Sequence, residues 1–139
     1  MAETYVVLPL TTDAAAELAA LGIPHPAPPA DPRPPMPRQV IAALGRLPGL
    51  EATVRRRPEK QLIRIDVNPP GTGNTRPAGS GTEISLFDVV GEDAACTVTF
   101  RGGTSALVAG VVDRIAAESG PLVVWPASGA DPTVCWGRA

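Results

Sequence analysis

The sequence predicts an α+β fold, a two-layer sandwich in which helices pack on one face of a mostly antiparallel sheet. Apolar patterns of strand type outnumber those of helical type, and the two types do not alternate strictly, as they would in a parallel βαβ arrangement. The clearest helical pattern, which starts at Thr104 or Ser105, lies between strand patterns. At 139 residues the chain has the length of one domain, and we expect a single domain over residues 1–139.

The first third of the chain predicts a strand, a helix, a proline-rich crossing and a second helix. Residues 5–10 form the apolar strand, and residues 11–13 offer N-caps for a helix over residues 14–21. Residues 24–37 contain eight prolines, which exclude a helix or a central strand and predict an extended surface crossing. PxxP sequences in it, such as residues 29–32 and 32–35, leave open a role as a ligand for an aromatic groove. A helix over residues 38–47 follows the crossing.

A β-hairpin and a long loop occupy the middle of the chain. Residues 50–57 and 61–67 alternate between apolar and polar side chains on either side of Pro58, which predicts two paired strands. Residues 68–82 are rich in Pro, Gly, Thr and Ser. A loop of this length in a compact domain is either functional or disordered, and we expect a flexible loop. It lacks the Gly-Lys-Ser/Thr ending of a phosphate-binding loop.

The last third of the chain predicts two strands, the amphipathic helix and two more strands. In the helix, Leu107, Val111 and Ile115 recur on one face, and Gly120 followed by Pro121 ends it. The apolar run that follows predicts a central strand buried on both faces, with Trp125 in the core, whereas the final strand is expected at an edge. The four strands are expected at residues 83–90, 96–100, 122–125 and 133–136.

Composition and charge narrow the class of protein. The net charge of −2 gives no global attraction to nucleic acid or to an anionic membrane, so we expect neither as a partner. No stretch approaches the roughly 18 apolar residues that span a bilayer, and the N-terminus lacks a signal-peptide pattern. A cytoplasmic location is therefore expected. Eleven arginines beside one lysine, with abundant Ala, Pro and Gly, indicate a GC-rich bacterial coding background.

The residues that most often perform chemistry are scarce. Cys96 and Cys135 both fall in predicted strands, where we expect two buried thiols that pack as small hydrophobic groups; the alternative is a disulfide or a reactive pair. The single histidine, His25, lies in the proline-rich crossing. The sequence shows neither a nucleophile–base set nor a zinc-ligand spacing. We therefore expect no catalytic residues, no metal and no cofactor.

One candidate ligand site joins a predicted strand to the start of the amphipathic helix. Exposed N–H groups, the helix dipole, two hydroxyls and an arginine could together hold a phosphate or a carboxylate. The alternative is that the glycines make a tight turn and that a hydroxyl caps the helix. The residues of this 101–105 turn are Arg101, Gly102, Gly103, Thr104 and Ser105.

A second candidate site is a basic cluster on the predicted hairpin, together with a tryptophan near the C-terminus. The cluster could bind an acidic partner or a nucleic-acid backbone, although it lacks the interleaved aromatic rings on which single-strand binders stack bases. Alternatively, it is a solvated hairpin end that discourages edge-to-edge pairing. The candidate partner-binding residues are Arg55, Arg56, Arg57, Arg64 and Trp136, with Lys60 at the turn.

These observations favour a non-catalytic protein-binding module over an enzyme. A small bacterial inhibitor, such as an immunity protein that neutralises a toxin or an enzyme, fits the combination of an α+β scaffold with long loops and mixed-charge patches. Another protein is then the expected partner. The alternative is a small-ligand or anion-binding protein, or an enzyme, that uses the 101–105 turn. A nucleic-acid binder that uses the basic hairpin is a third and weaker hypothesis.

Overall fold

The computed structural model describes residues 3–47, 49–69 and 81–136. Over these residues, the predicted order of strands and helices is confirmed. The strands are β1 (Thr4–Pro9), β2 (Glu51–Arg57), β3 (Leu62–Asn68), β4 (Thr82–Phe87), β5 (Thr97–Arg101), β6 (Leu122–Pro126) and β7 (Thr133–Cys135). The α-helices are α1 (Thr12–Ala20), α2 (Pro37–Leu44) and α3 (Ser105–Ser119), and a 3-10 turn, Pro58–Lys60, joins β2 to β3.

The seven strands form one sheet in the order β2-β3-β4-β5-β1-β6-β7, and every neighbouring pair is antiparallel. This confirms the predicted α+β class with an antiparallel sheet. β1 comes first in the chain but lies between β5 and β6, because it pairs with both. β7 lies at one edge, as expected, and β2 lies at the other.

Helices α2 and α3 pack on the first face of the sheet, as the two-layer prediction requires. One row of this face runs across four strands through Ile65, Ile84, Phe100 and Tyr5, which are directly opposite one another in turn. All four side chains are buried. The helices cover the face with Val40, Ala43, Leu44, Val108, Val111, Val112, Ile115 and Ala116. Burial of each large aliphatic side chain in this core contributes roughly 1.5–3 kcal/mol before entropy is subtracted.

Helix α1 packs separately, on the second face of the sheet at the β6 end. Leu18 of α1 is fully buried in a cluster with Leu10 and Val123. In β6, Val123 points to this second cluster, whereas Leu122 and Val124 point into the main core. The prediction that this apolar strand is buried on both faces is thereby confirmed for these three residues. Trp125 was expected in the core, but it is half-buried and packs at the margin of the second cluster.

The rest of the second face, over β2 to β5 and β1, is here called the open face. α1 is the one described helix on this side, and it packs against Val123 at the β6 end. The outward side chains of the open face include exposed apolar residues as well as charged residues. They are Glu51, Thr53, Arg55, Arg57, Leu62, Arg64, Asp66, Asn68, Glu83, Ser85, Phe87, Thr97, Thr99, Arg101, Thr4, Val6 and Leu8.

The segments between these elements confirm part of what the sequence predicts for them. Residues 23–36 form neither helix nor strand, and the Pro35 carbonyl oxygen accepts a hydrogen bond from the backbone N–H of Cys96 at 3.1 Å. β4 ends at Phe87, earlier than predicted, because Asp88 adopts a left-handed backbone conformation with φ of 58°. Of the predicted loop over residues 68–82, residues 70–80 lie outside the described residues. None of the described helices is long and apolar enough to cross a membrane.

Candidate functional site

The 101–105 turn connects β5 to the N-terminus of α3, as predicted. Thr104 is the N-cap of α3, and its hydroxyl oxygen accepts a hydrogen bond from the backbone N–H of Leu107 at 3.1 Å. The backbone N–H of Gly102 donates to the carbonyl oxygen of Glu3 at 2.8 Å. The Thr82 hydroxyl donates to the Gly102 carbonyl oxygen at 3.0 Å. The turn therefore uses several of its own polar groups to hold the chain in place.

Gly103 is needed in this turn for both conformation and space. Its φ is +83°, a value that side chains disfavour. A Cβ atom added there would lie 3.0 Å from the Gly81 carbonyl oxygen and 3.2 Å from the Cβ of Thr82. The structural role of the glycines is thus accounted for, while Arg101 and Ser105 remain exposed. Anion binding at this turn stays a prediction.

The arginines of the hairpin do not form one patch, because they alternate between the two faces of the sheet. Arg55 and Arg57 are directly opposite Arg64 and Leu62 and share the open face with them. Arg56 is directly opposite Ile63, which is buried in the main core, so Arg56 lies on the first face. The predicted cluster is therefore divided between the two faces of the hairpin.

Ion pairs occupy part of this cluster. The Nη2 atom of Arg55 lies 2.6 Å from the Oδ2 atom of Asp66 on the open face. On the first face, Nη2 of Arg56 lies 2.9 Å from Oε1 of Glu92.

The remaining three cations of the cluster, Arg57, Lys60 and Arg64, form either a long ion pair or none among the described residues. The Nε atom of Arg64 is 3.8 Å from Oε1 of Glu83, too far for a hydrogen bond. Arg57 and Lys60 have no ion-pair partner among the described residues. They line a groove of about 180 Å³ together with Arg55, Leu62 and Arg64. Two cations without an ion-pair partner in the described chain therefore lie at the turn end of the hairpin, with one acidic residue, Glu59, between them in the chain.

Trp136 does not join the hairpin arginines. It follows β7 directly and is half-buried, whereas the arginines of β2 lie at the opposite edge of the seven-stranded sheet. The structure therefore places the predicted tryptophan anchor and the basic cluster on different sides of the molecule. A partner-binding role for either remains a prediction.

Exposed apolar residues on the open face are a feature that the sequence analysis missed. Phe87 is 41% exposed and Leu8 is 44% exposed. Phe87 is directly opposite Thr97 on β5, and it follows Leu86, whose partner on β3 is Ile63. The alternation of β4 could have shown that Phe87 lies on the face opposite the main core, because Ile84 is in phase with the core and Phe87 is out of phase with it.

A second apolar feature lies where the hairpin ends. A pocket of about 450 Å³ is lined by Leu62, Ile63, Val89 and Val90, and Val90 is 73% exposed. The Arg56–Glu92 ion pair lies at its margin. We call it the hairpin-end pocket. Because Leu62 lines both this pocket and the basic groove, the two recesses are adjacent.

The backbone at the hairpin-end pocket is in an uncommon conformation. Gln61 and Asp88 are the two non-glycine residues with positive φ in the described chain, at 51° and 58°. The N–H of Val89 donates to the Gln61 carbonyl oxygen at 2.9 Å and ties the two segments together. Left-handed backbone in such residues costs roughly 1–2 kcal/mol each. Such strain is often found at ligand-binding sites.

The groove beside α1 is a further recess on the second face. It has a volume of about 400 Å³ and is lined by apolar and acidic residues. These are Leu8, Pro9, Thr11, Asp13, Ala14, Glu17 and Trp125. The indole Nε1 atom of Trp125 is buried without a hydrogen-bond partner among the described residues.

The two cysteines are buried and unpaired, as expected. Burial raises the pKa of the Cys96 thiol to about 11. Burial, together with the nearby Asp113 carboxylate, raises the pKa of the Cys135 thiol to about 12. Nucleophilic cysteines have a lowered pKa, so neither thiol is activated for catalysis.

Other groups that could perform chemistry are dispersed. Among the described residues, no group of three or more His, Cys, Asp and Glu side chains is placed to hold a metal ion. The Nδ1 atom of His25 is 2.9 Å from the carbonyl oxygen of Pro26, within the crossing.

Comparison with known proteins gave no relatives. No family model, no curated protein and no solved structure matches this chain.

Proposed function

We propose that this protein is a non-catalytic protein-binding module and that the open face of the sheet is its binding surface. The observation that carries the proposal is the pair of large apolar side chains, Phe87 and Leu8, that remain more than two-fifths exposed on this face. Their neighbours on the same face include arginines. Aromatic residues and arginine are enriched in protein interfaces, which applies here to Phe87 and its arginine neighbours.

The charges of the open face favour an acidic partner. Arg57 and Lys60, which have no ion-pair partner in the described chain, lie at the same end of the sheet as Phe87. Carboxylates on a partner would meet these cations around the apolar contact. The adjacent hairpin-end pocket offers a recess for one of the partner's apolar side chains, because Leu62 connects it to the open face.

The narrower form of the proposal is a small inhibitor that acts in the cytoplasm, such as a bacterial immunity protein. The two unpaired, buried thiols agree with a reducing compartment. An inhibitor works by covering another protein's active site, which requires a binding face and no chemistry of its own. This narrower form predicts that the bound partner is an enzyme and that adding this protein abolishes the partner's activity.

The proposal is tested by comparing which partner proteins the wild type and two variants capture from a lysate of the source organism. The wild-type protein, Phe87→Asp and Leu21→Asp are each immobilised, and the retained proteins are quantified. Leu21 is a matched control because it is 53% exposed but lies at the end of α1. We expect a stoichiometric acidic partner on the wild type and on Leu21→Asp, and its loss on Phe87→Asp. Equal retention by all three proteins, or no retained partner, would contradict the proposal.

A further inference from the structure

We infer that β2 is a self-association edge, where two copies of this chain pair antiparallel and join their sheets into one. β2 is seven residues long, lies at the edge of the sheet, and is exposed at every residue except Val54, which is half-buried. The backbone of β2 pairs with β3 on one side only. Long exposed edges are normally shortened, covered, paired or protected by charged side chains. β2 is neither short nor covered, and its three arginines discourage pairing with any strand that lacks matching carboxylates.

The sequence of β2 is complementary to itself when reversed. In an antiparallel pair centred on Val54, Glu51 of each copy is directly opposite Arg57 of the other. Glu51 and Arg57 have no ion-pair partner among the described residues of their own chain. Directly opposite residues on paired strands interact, and opposite charges at such positions stabilise the pair. The same alignment places Thr53 opposite Arg55.

Moving the alignment by one residue toward the turn removes this complementarity. A pair centred on Arg55 would place two arginines directly opposite each other and would leave Glu51 without a partner strand residue. Like charges at directly opposite positions are destabilising. Moving it the other way, to Thr53, places Glu51 opposite Arg55, which is already paired with Asp66 at 2.6 Å, and leaves Arg57 without a partner strand residue. Charge therefore favours the alignment in which Val54 lies on the two-fold axis, the symmetry expected of a homodimer.

Apolar residues along the same edge could form an apolar contact between the two copies of the chain. Val54, Leu50 and Leu47 are partly buried and pack against the main core. Val54 lies on the first face of the sheet, since its partner on β3 is Ile65. Across the two-fold axis, the two copies of Val54 would meet and extend the core beneath the joined sheet. The other edge strand, β7, has only three residues and offers no comparable length.

Self-association through β2 shares Arg57 with the proposed function but does not use its apolar contact, and the Glu51→Arg variant tests it with Arg57 intact. It uses the backbone edge of β2 and leaves Phe87 and Leu8 uncovered, since these residues lie on β4 and β1. A dimer would carry two open faces on one continuous sheet of fourteen strands, twice the seven of one chain.

Charge reversal and sedimentation of the full chain test the inference. The mass is measured by analytical ultracentrifugation from micromolar to millimolar concentrations for the wild type, Glu51→Arg and Arg57→Glu. We expect a concentration-dependent dimer for the wild type. Each single variant replaces two attractive contacts with two repulsive ones, so dimerisation weakens about tenfold or more. Arg114→Glu, on an exposed position of α3, is the control and should dimerise as the wild type does.

Mixing the variants separates this pairing from a general effect of charge. An equimolar mixture of Glu51→Arg and Arg57→Glu restores two attractive contacts, so a heterodimer should form where each variant alone is monomeric. The double variant should likewise dimerise. A wild-type mass that stays monomeric at every concentration would overturn the inference, and so would a dimer that both single variants leave unchanged. Thermal unfolding of each variant verifies that the fold is retained.

Discussion

Arg55 of β2 and Arg64 of β3 lie directly opposite each other on the open face, although both are positively charged. Two carboxylates lie beside them: Asp66 is 2.6 Å from Arg55, and Glu83 is 3.8 Å from Arg64. The two carboxylates do not offset the two positive charges equally, because the Nε atom of Arg64 is buried without a hydrogen-bond partner in the described chain. A like-charge pair at opposite positions costs stability. This pair therefore does not favour folding.

Replacing Arg64 with Thr should therefore leave the protein at least as stable as the wild type. The change removes the repulsion and the unsatisfied Nε, and it introduces a β-branched residue suited to a strand. We expect the free energy of unfolding in urea to be unchanged or higher by up to about 1 kcal/mol. Arg55→Thr, which loses the shorter pair with Asp66, should be the less stable of the two variants. The reverse order would contradict this account.

Replacing Gly103 with Ala should destabilise the protein by about 1–3 kcal/mol, because the new Cβ atom meets the Gly81 carbonyl oxygen and φ is +83°. Gly110 provides the opposite control, since it lies within α3 with no atom within 4 Å of an added Cβ. Gly110→Ala should stabilise by roughly 0.5–1 kcal/mol. Urea denaturation of the two variants measures both values. Equal changes in the free energy of unfolding for the two variants would contradict the tight turn described at Gly103.

Truncation of Leu18 tests the position of α1 on the second face. Leu18 is fully buried against Val123 and Leu10, so Leu18→Ala should cost about 2–5 kcal/mol of unfolding free energy. Leu21, one turn later and 53% exposed, is the matched control, and Leu21→Ala should change stability by less than about 0.5 kcal/mol. Similar small losses for both variants would show that α1 does not pack as described.

Stability should fall at alkaline pH because of the two thiols. Their folded-state pKa values, about 11 for Cys96 and about 12 for Cys135, lie above the ordinary 9.0. The folded protein therefore holds these protons more tightly than the unfolded chain does. Their contribution to stability is fully present below about pH 9 and is lost as the pH rises through the folded pKa values.

The slope of this loss can be measured by urea unfolding between pH 8 and 10. It should approach about 1.4 kcal/mol per pH unit for each thiol above pH 9. Burial and the nearby Glu3 also raise the pKa of Tyr5 above 10.0, which adds a loss of the same sign at higher pH. A Cys96→Ala/Cys135→Ala variant should lose most of the slope between pH 9 and 10. An unchanged slope would contradict the assignment to the thiols.

The order of the elements could be predicted from the sequence because the patterns that define them are local. Ile63, Ile65 and Val67 alternate with polar residues, and this period of two is visible without knowledge of any partner strand. The order of the strands in the sheet could not be predicted in this way. β1 lies between β5 and β6, which follow it by more than eighty residues, and nothing within residues 4–9 specifies those partners.

The candidate sites show the same division between local and long-range information. The tight turn at Gly103 could be located from the sequence, but its close approach to Gly81 depends on a contact between distant segments. Alternation alone separates Arg56 from Arg55, so that split was available from the sequence. Exposure of Phe87 was not, because it depends on where α1 packs, and α1 covers Val123 at the other end of the second face.

Carbene photolabelling of the protein in its source lysate tests the proposed binding surface most directly. The label modifies accessible side chains, and labelling of Phe87 and Leu8 is divided by that of Leu21 in the same sample. If a partner protein covers the open face, this ratio should fall severalfold between buffer and lysate, and it should recover for Lys60→Glu, which lies outside β2. An identical ratio in buffer and lysate would contradict the account, because the open face would then be free where its partner is present.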